Sequence, residues 1–70
     1  MNGLINPITI AENIKRIRQT NNLTQIEMAD TLGYSERTIR RLETNGTYDL
    51  YVINLIAETF NIPVVSILFN

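Results

Sequence analysis

The sequence predicts an all-α fold of five short helices, and three observations lead there. Helix-start signals recur at short intervals along the 70 residues. Stop signals fall between them. Within each interval the apolar residues repeat with the helical period, and little alternates with the period of a strand.

Taken in order, Thr9-Ile10-Ala11-Glu12 reads as a capping box, in which the threonine side chain accepts from an early amide and the glutamate reaches back. A first helix is expected over about 10–21, ended by Asn21-Asn22. Thr24-Gln25-Ile26-Glu27 repeats the box and opens a second helix over 24–32, ended by Gly33. Ser35 is a good N-cap for a third helix over 35–44, before Asn45-Gly46. Asp49 can cap a fourth over 50–60, ended by Asn61. Pro63 suits the first turn of a fifth over 63–69. Residues 1–8, ending in Asn6-Pro7, read as an extended arm, and 9–70 as a single domain.

Projection at about 100° per residue sorts the faces. The predicted core comprises Ile10, Ile14 and Ile17; Met28, Ala29 and Leu32; Leu50, Ile53, Ile56, Ala57 and Phe60; Val64, Ile67 and Leu68; with Leu23, Ile39 and Leu42. At 44% hydrophobic the chain has enough apolar mass to fold, although one this short buries only about 60% of its unfolded surface.

Composition removes several classes of function. Without cysteine there is neither a disulfide framework nor a thiolate zinc site. Without histidine the commonest general base and metal ligand is missing. No nucleophile–base arrangement is found, and Gly3, Gly33 and Gly46 form no phosphate-cradling loop. The chain is therefore read as a non-enzyme, with no metal and no cofactor. There is no signal peptide pattern and no apolar run near the roughly 20 residues that span a bilayer. A soluble cytoplasmic protein with no membrane partner is expected.

The net charge of −1 lacks the basic excess common in nucleic-acid binders, so local placement of charge must decide. In the third helix Ile39 and Leu42 mark the buried side. Arg37, Arg40, Arg41 and Thr44 share the opposite side, with Glu36 at its edge. Glu43 falls at the border of the core, and Arg18 projects at the edge of the first helix's apolar stripe. The two invite a partly buried ion pair tying the first helix to the end of the third. The alternative is two unrelated surface charges.

"LTQIEMADTLGYSERTIRRLETNG", residues 23–46, resembles the helix-turn-helix of the phage repressor and Cro family. The shared elements are Thr24-Gln25 opening the first helix of the motif, the small Ala29 where the helices cross, Leu32-Gly33 at the turn, the Ser35 cap, and Ile39 followed by Leu42-Glu43. "IAENIKRIRQTNNLTQ" resembles the family's first helix, Arg18 included, and "DLYVINLIAETFNIPVVSILF" its fourth and fifth. All but the arm is covered. The resemblance implies a five-helix lambda-repressor-like domain whose third helix reads the major groove of double-stranded DNA.

Carried over by position, Glu36, Arg37 and Arg41 would lie nearest base edges. Arginine can donate twice to guanine, and glutamate can accept from the cytosine amino group. For Glu36 the alternative role is stabilisation of the helix dipole from the first turn. Phosphate contacts would come from Thr24, Gln25, Ser35 and Thr38 at the amino ends of the second and third helices, from Arg40 on the flank, and from Asn45, Thr47 and Tyr48 in the following loop. For Gln25 a polar clamp between helices is the alternative, and the two roles are compatible.

The departures from the family pattern are informative. The loop "TNGTYD" lacks lysine and arginine, and the arm carries no basic residue, so weak non-specific binding is expected. Ile26 replaces a polar or small residue, and cover by the apolar arm residues Leu4, Ile5 and Ile8 is expected, from the same or a partner chain. Tyr51 and Leu55 project away from the core face, Val52 lies at its margin, and Val65 replaces a polar residue. Together they suggest a homodimer interface. The leading expectation is a dimeric repressor on a pseudo-palindromic operator. The alternatives are a protein-interaction module on the same fold, such as an antirepressor or antitoxin-like partner of a regulatory protein, and the DNA-binding domain of a longer regulator.

Overall fold

The structure, a computed structural model, describes residues 4–69. Among these, the helices are α1 (Pro7–Thr20), α2 (Gln25–Leu32), α3 (Glu36–Asn45), α4 (Leu50–Thr59) and α5 (Val65–Leu68), with no strand. The all-α five-helix expectation is met.

Caps fix most of the boundaries. Thr24 and Glu27 form the full capping box: Glu27 N donates to Thr24 Oγ1 at 3.1 Å and Thr24 N to Glu27 Oε1 at 2.8 Å. Ser35 Oγ accepts from Thr38 N at 3.1 Å, and Asp49 Oδ1 from Tyr51 N at 2.9 Å. At the start of α1 the expectation is corrected. Asn6, not Thr9, is the N-cap, accepting from Ile8 N at 2.8 Å, and Pro7 occupies the first helical position. The fixed φ of proline suits that position and its missing N–H costs nothing there, so the helix begins before the Thr9 box is reached. The expected arm loses Pro7 and Ile8 to α1, and its first three residues lie outside the described ones. The fifth helix begins two residues later than expected, at Val65, and Pro63 lies before it, its carbonyl accepting from Ser66 N at 3.0 Å.

Three helix ends share one device. Asn22 (φ 60), Gly33 (φ 80) and Asn61 (φ 54) turn left-handed. The next residue's amide then reaches back five positions: Leu23 to Arg18 O, Tyr34 to Ala29 O, and Ile62 to Ala57 O. Gly46 differs. Its φ of 72 with ψ of −165 is open essentially to glycine alone. A Cβ there would also run into the Pro7 carbonyl, so the absent side chain lets the end of α3 meet the start of α1.

The core is one cluster built from all five helices, including Ile10, Ile14, Met28, Ile39, Ile53, Ile56 and Ile67. α1 packs chiefly on α3 and α5, and α2 on α3. Leu23, Phe60, Val64 and Leu68 pack half-buried against the cluster, joined by Tyr34 and Ile62. Leu50 was expected in the core and is 66% exposed. As the first residue of α4 it precedes the turn that meets the core, which begins at Ile53.

Among the described residues one buried residue is polar. Asn13 donates from Nδ2 to the carbonyls of Ile67 (2.9 Å) and Phe69 (3.0 Å), and its Oδ1 accepts from Arg16 at 2.6 Å. It ties α1 to the carbonyl end of α5, which a four-residue helix could not satisfy within itself. Every buried side-chain nitrogen and oxygen among the described residues is hydrogen-bonded.

Candidate nucleic-acid interface

α3 has two edges with different chemistry. Along the inner one, Ile39 and Leu42 are buried. Beyond them Glu43 turns inward and accepts from Arg18 twice, at 2.6 Å (Nε to Oε2) and 3.1 Å (Nη2 to Oε1). The side chains are 13% and 4% exposed for arginine and glutamate. Arg18 also donates to Leu23 O at 2.9 Å, and Gln25 Nε2 to Glu43 Oε1 at 3.2 Å. One carboxylate thus gathers the end of α1, the start of α2 and the end of α3. This bidentate geometry is the strong form of the arginine–carboxylate contact.

The outer edge carries Arg37, Arg40 and Arg41, all exposed. Arg40 Nη2 lies 2.9 Å from Glu36 Oε2, one turn earlier, and this pair is 61% and 37% exposed. Among the described residues Arg37 and Arg41 have no side-chain partner, and they stand four residues apart, about 6 Å along the axis. At the amino ends the side-chain groups are already engaged: Thr24 with Glu27, and Ser35 with both the amide and the hydroxyl of Thr38 (3.0 Å). The amides of Gln25 and Ile26, and of Glu36 and Arg37, are too early in their helices to have intrahelical acceptors. Asn45 ends α3 exposed, and Thr47 Oγ1 accepts from Asp49 N at 3.0 Å.

The structure thus groups Arg37, Arg40 and Arg41 on one helix face, with Glu36 at its edge and Thr24, Gln25, Ser35 and Thr38 at the adjoining helix starts. The expected apolar interface is less uniform. Tyr51 (71% exposed) and Val65 stand out, joined by Tyr48 and Leu50. Leu55 is corrected: with Val52 it leans half-buried on the core rather than projecting away. A second correction concerns Ile26. It is exposed, as are Leu4, Ile5 and Ile8, so the chain's own arm does not cover it. The arm adjoins the start of α1, whereas α2 follows its far end, about 20 Å away along a 14-residue helix.

Besides Ile62, the sequence reading leaves out Asn13 and Tyr34. Asn13 sits within the stripe Ile10, Asn13, Ile14, Ile17, and that spacing alone would have placed it inside. Tyr34 links the turn to α4. Burial raises the pKa of its phenol first, and the neighbouring Tyr51 and Asp49 add to the effect.

Among the described residues no cluster of acidic side chains could hold a metal ion, and no helix is long and apolar enough to cross a membrane. A helix-turn-helix family model matches residues 14–67. The antitoxin PezA of Streptococcus pneumoniae serotype 4 is 40% identical over 60 aligned positions, taking in 83% of this chain and 37% of the relative. The chain thus spans little more than a third of that protein's length. With the motif, the five helices and the matched segment in agreement, the chain belongs to the helix-turn-helix family of the phage repressor and Cro type.

Proposed function

We propose that the chain is a sequence-specific regulator that binds double-stranded DNA in the cytoplasm, with α3 in the major groove. The observation that carries this is the pair Arg37 and Arg41: exposed, without a partner among the described residues, and one turn apart on a helix that is anchored to α1 and α2. A long cation held on a rigid element and left free suits bidentate donation to guanine, worth about 1–3 kcal/mol of discrimination per contact. Gln25, the free amides, Ser35, Thr38 and the loop residues Asn45 and Thr47 lie where phosphate contacts would fix the register.

The regulator acts as a homodimer and represses by occupying a pseudo-palindromic operator, the two recognition helices about one DNA turn apart. Tyr51 and Val65, flanked by the half-buried Val52 and Leu55, supply the apolar surface for that contact. The test is footprinting of the purified chain on DNA upstream of its own reading frame. Two-fold symmetric protection of successive major grooves is expected. A folded chain that protects nothing there, and selects nothing from random duplexes, would remove the reading.

A second reading has its own support. The relative from Streptococcus pneumoniae is named an antitoxin, a protein defined by a toxin partner, and it is longer than this chain. The same domain would then bind DNA as one part of a regulator that also engages a protein. Loss of function on Tyr51→Asp, with Arg37→Ala and Arg41→Ala silent, would favour that reading.

A further inference from the structure

The fold that requires glycine at position 46 also sets a reactive pair at the end of α3. Glycine is imposed there by a φ of 72 with a ψ of −165, and by the Pro7 carbonyl that a Cβ would meet. The residue before it is Asn45, the last of α3. Among the described residues it is the one asparagine followed by glycine. It is exposed, and its side chain has no hydrogen-bond partner among them. In such a pair the glycine nitrogen can attack the asparagine side-chain amide, because no Cβ on the second residue hinders the approach. Two things hold that nitrogen back here. Gly46 N donates to Leu42 O at 3.0 Å, and Asn45 keeps a helical backbone.

We infer that Asn45 is a site of spontaneous deamidation, gated by the last turn of α3, and that its conversion lowers affinity for DNA. The second half rests on the reading of α3 as the DNA helix. The turn frays and the bond from Gly46 to Leu42 opens. Gly46 N then bonds to Asn45 Cγ and gives up its proton. The Cγ–Nδ2 bond breaks, and ammonia leaves with that proton. Solvent water opens the resulting five-membered imide. Cleavage between the nitrogen and Cγ yields aspartate. Cleavage between the nitrogen and the Asn45 carbonyl carbon yields isoaspartate, whose backbone runs through Cβ and Cγ. Either way one water is consumed, one ammonia is released and one carboxylate is gained. That charge stands at the carbonyl end of α3, where the helix dipole opposes it. It also stands where Asn45 would meet a phosphate, so it repels the DNA backbone. The isoaspartate form adds a backbone carbon where α3 approaches Pro7.

The experiment incubates the purified chain, its Glu43→Ala variant and a free peptide of residues 42–48 in mildly alkaline buffer. Peptide mapping follows the amide-to-acid mass gain. The folded chain is expected to convert at Asn45 roughly three- to tenfold more slowly than the peptide, since opening one terminal turn costs little free energy. Glu43→Ala, which releases the end of α3 from Arg18, is expected to move the rate toward that of the peptide. Asn54, exposed within α4 and followed by Leu55, is the internal control and is expected to stay unchanged. Asn45→Asp is expected to bind the duplex selected by fresh wild type roughly three- to tenfold more weakly at 0.1 M salt. Aged wild type is expected to fall toward that level, whereas aged Asn45→Gln binds as fresh Asn45→Gln does. A folded chain that stays intact at Asn45 while the peptide converts fully would overturn the site, and conversion as fast as in the peptide would overturn the gate. Conversion with unchanged affinity for the selected duplex would overturn the effect on DNA. A fresh, folded chain that selects no duplex would remove the DNA reading and leave the modification standing on the mass gain alone.

Discussion

Glu43 and Glu36 lie about two turns apart on α3, and each binds an arginine. The first pair is nearly dry, bidentate and reinforced by Gln25 and by Arg18's bond to Leu23. The second is a single contact in water. Removing one partner of a buried pair strands a charge without solvent, whereas an exposed pair is worth little because water already satisfies both members. The difference teaches that position on the helix, not charge, assigns the work. Seven residues apart, the two carboxylates share nearly one azimuth, so the axial position decides: the end of α3 uses ionic chemistry to hold the helix to α1 and α2, while its start and its exposed flank carry charged side chains in water.

Breaking the inner pair is the most damaging change. Glu43→Ala is expected to cost about 3–5 kcal/mol, a large part of the stability of a domain this small, read by chemical denaturation. Next comes the neighbouring end of the same helix. Gly46→Ala is expected to cost about 2–3 kcal/mol, since backbone conformation and the Pro7 carbonyl both oppose a Cβ. Gly33→Ala is the control: nothing lies near its Cβ position, so only the left-handed backbone is penalised, by about 1 kcal/mol. If the two glycines cost the same, the α1–α3 approach is not what Gly46 permits.

Tyr34 offers a smaller test, in pH. Its pKa is raised in the folded state by burial, then by Tyr51 and Asp49. Above about pH 10 the unfolded chain ionises this phenol while the folded one still keeps it neutral. Stability is therefore fully present below that pH and falls as pH rises toward the folded value. Tyr34→Phe is expected to flatten that part of the stability–pH curve. Last is Glu36→Ala, expected to change stability by less than about 0.5 kcal/mol. A large loss there would erase the distinction between the two ion pairs.

Much of this was legible in the chain. Ser35, Asp49 and the Thr24–Glu27 box announce their helices because capping is local chemistry between residues a turn apart. The inward turn of Glu43 follows from its angle relative to Ile39 and Leu42. What escaped depended on tertiary context. The Thr9 box is a valid start signal, but Asn6-Pro7 is an earlier one, and the contact of Pro7 with Gly46 joins residues far apart in sequence. Asn13 was passed over because an amide is usually exposed, and its partners are two carbonyls at the far end of the chain. Leu55 sits at an angle that looks outward on its own helix, yet it leans on the shared core.

The most direct test compares the two edges in one protein. Arg37→Ala/Arg41→Ala would be measured for thermal stability and for binding to duplexes selected by the wild type. A midpoint within a few degrees of wild type, with binding to the selected duplex reduced at least about fivefold per lost contact, is the expected result. Unchanged affinity for that duplex, or a loss of stability comparable to that of Glu43→Ala, would contradict the assignment of this face to DNA.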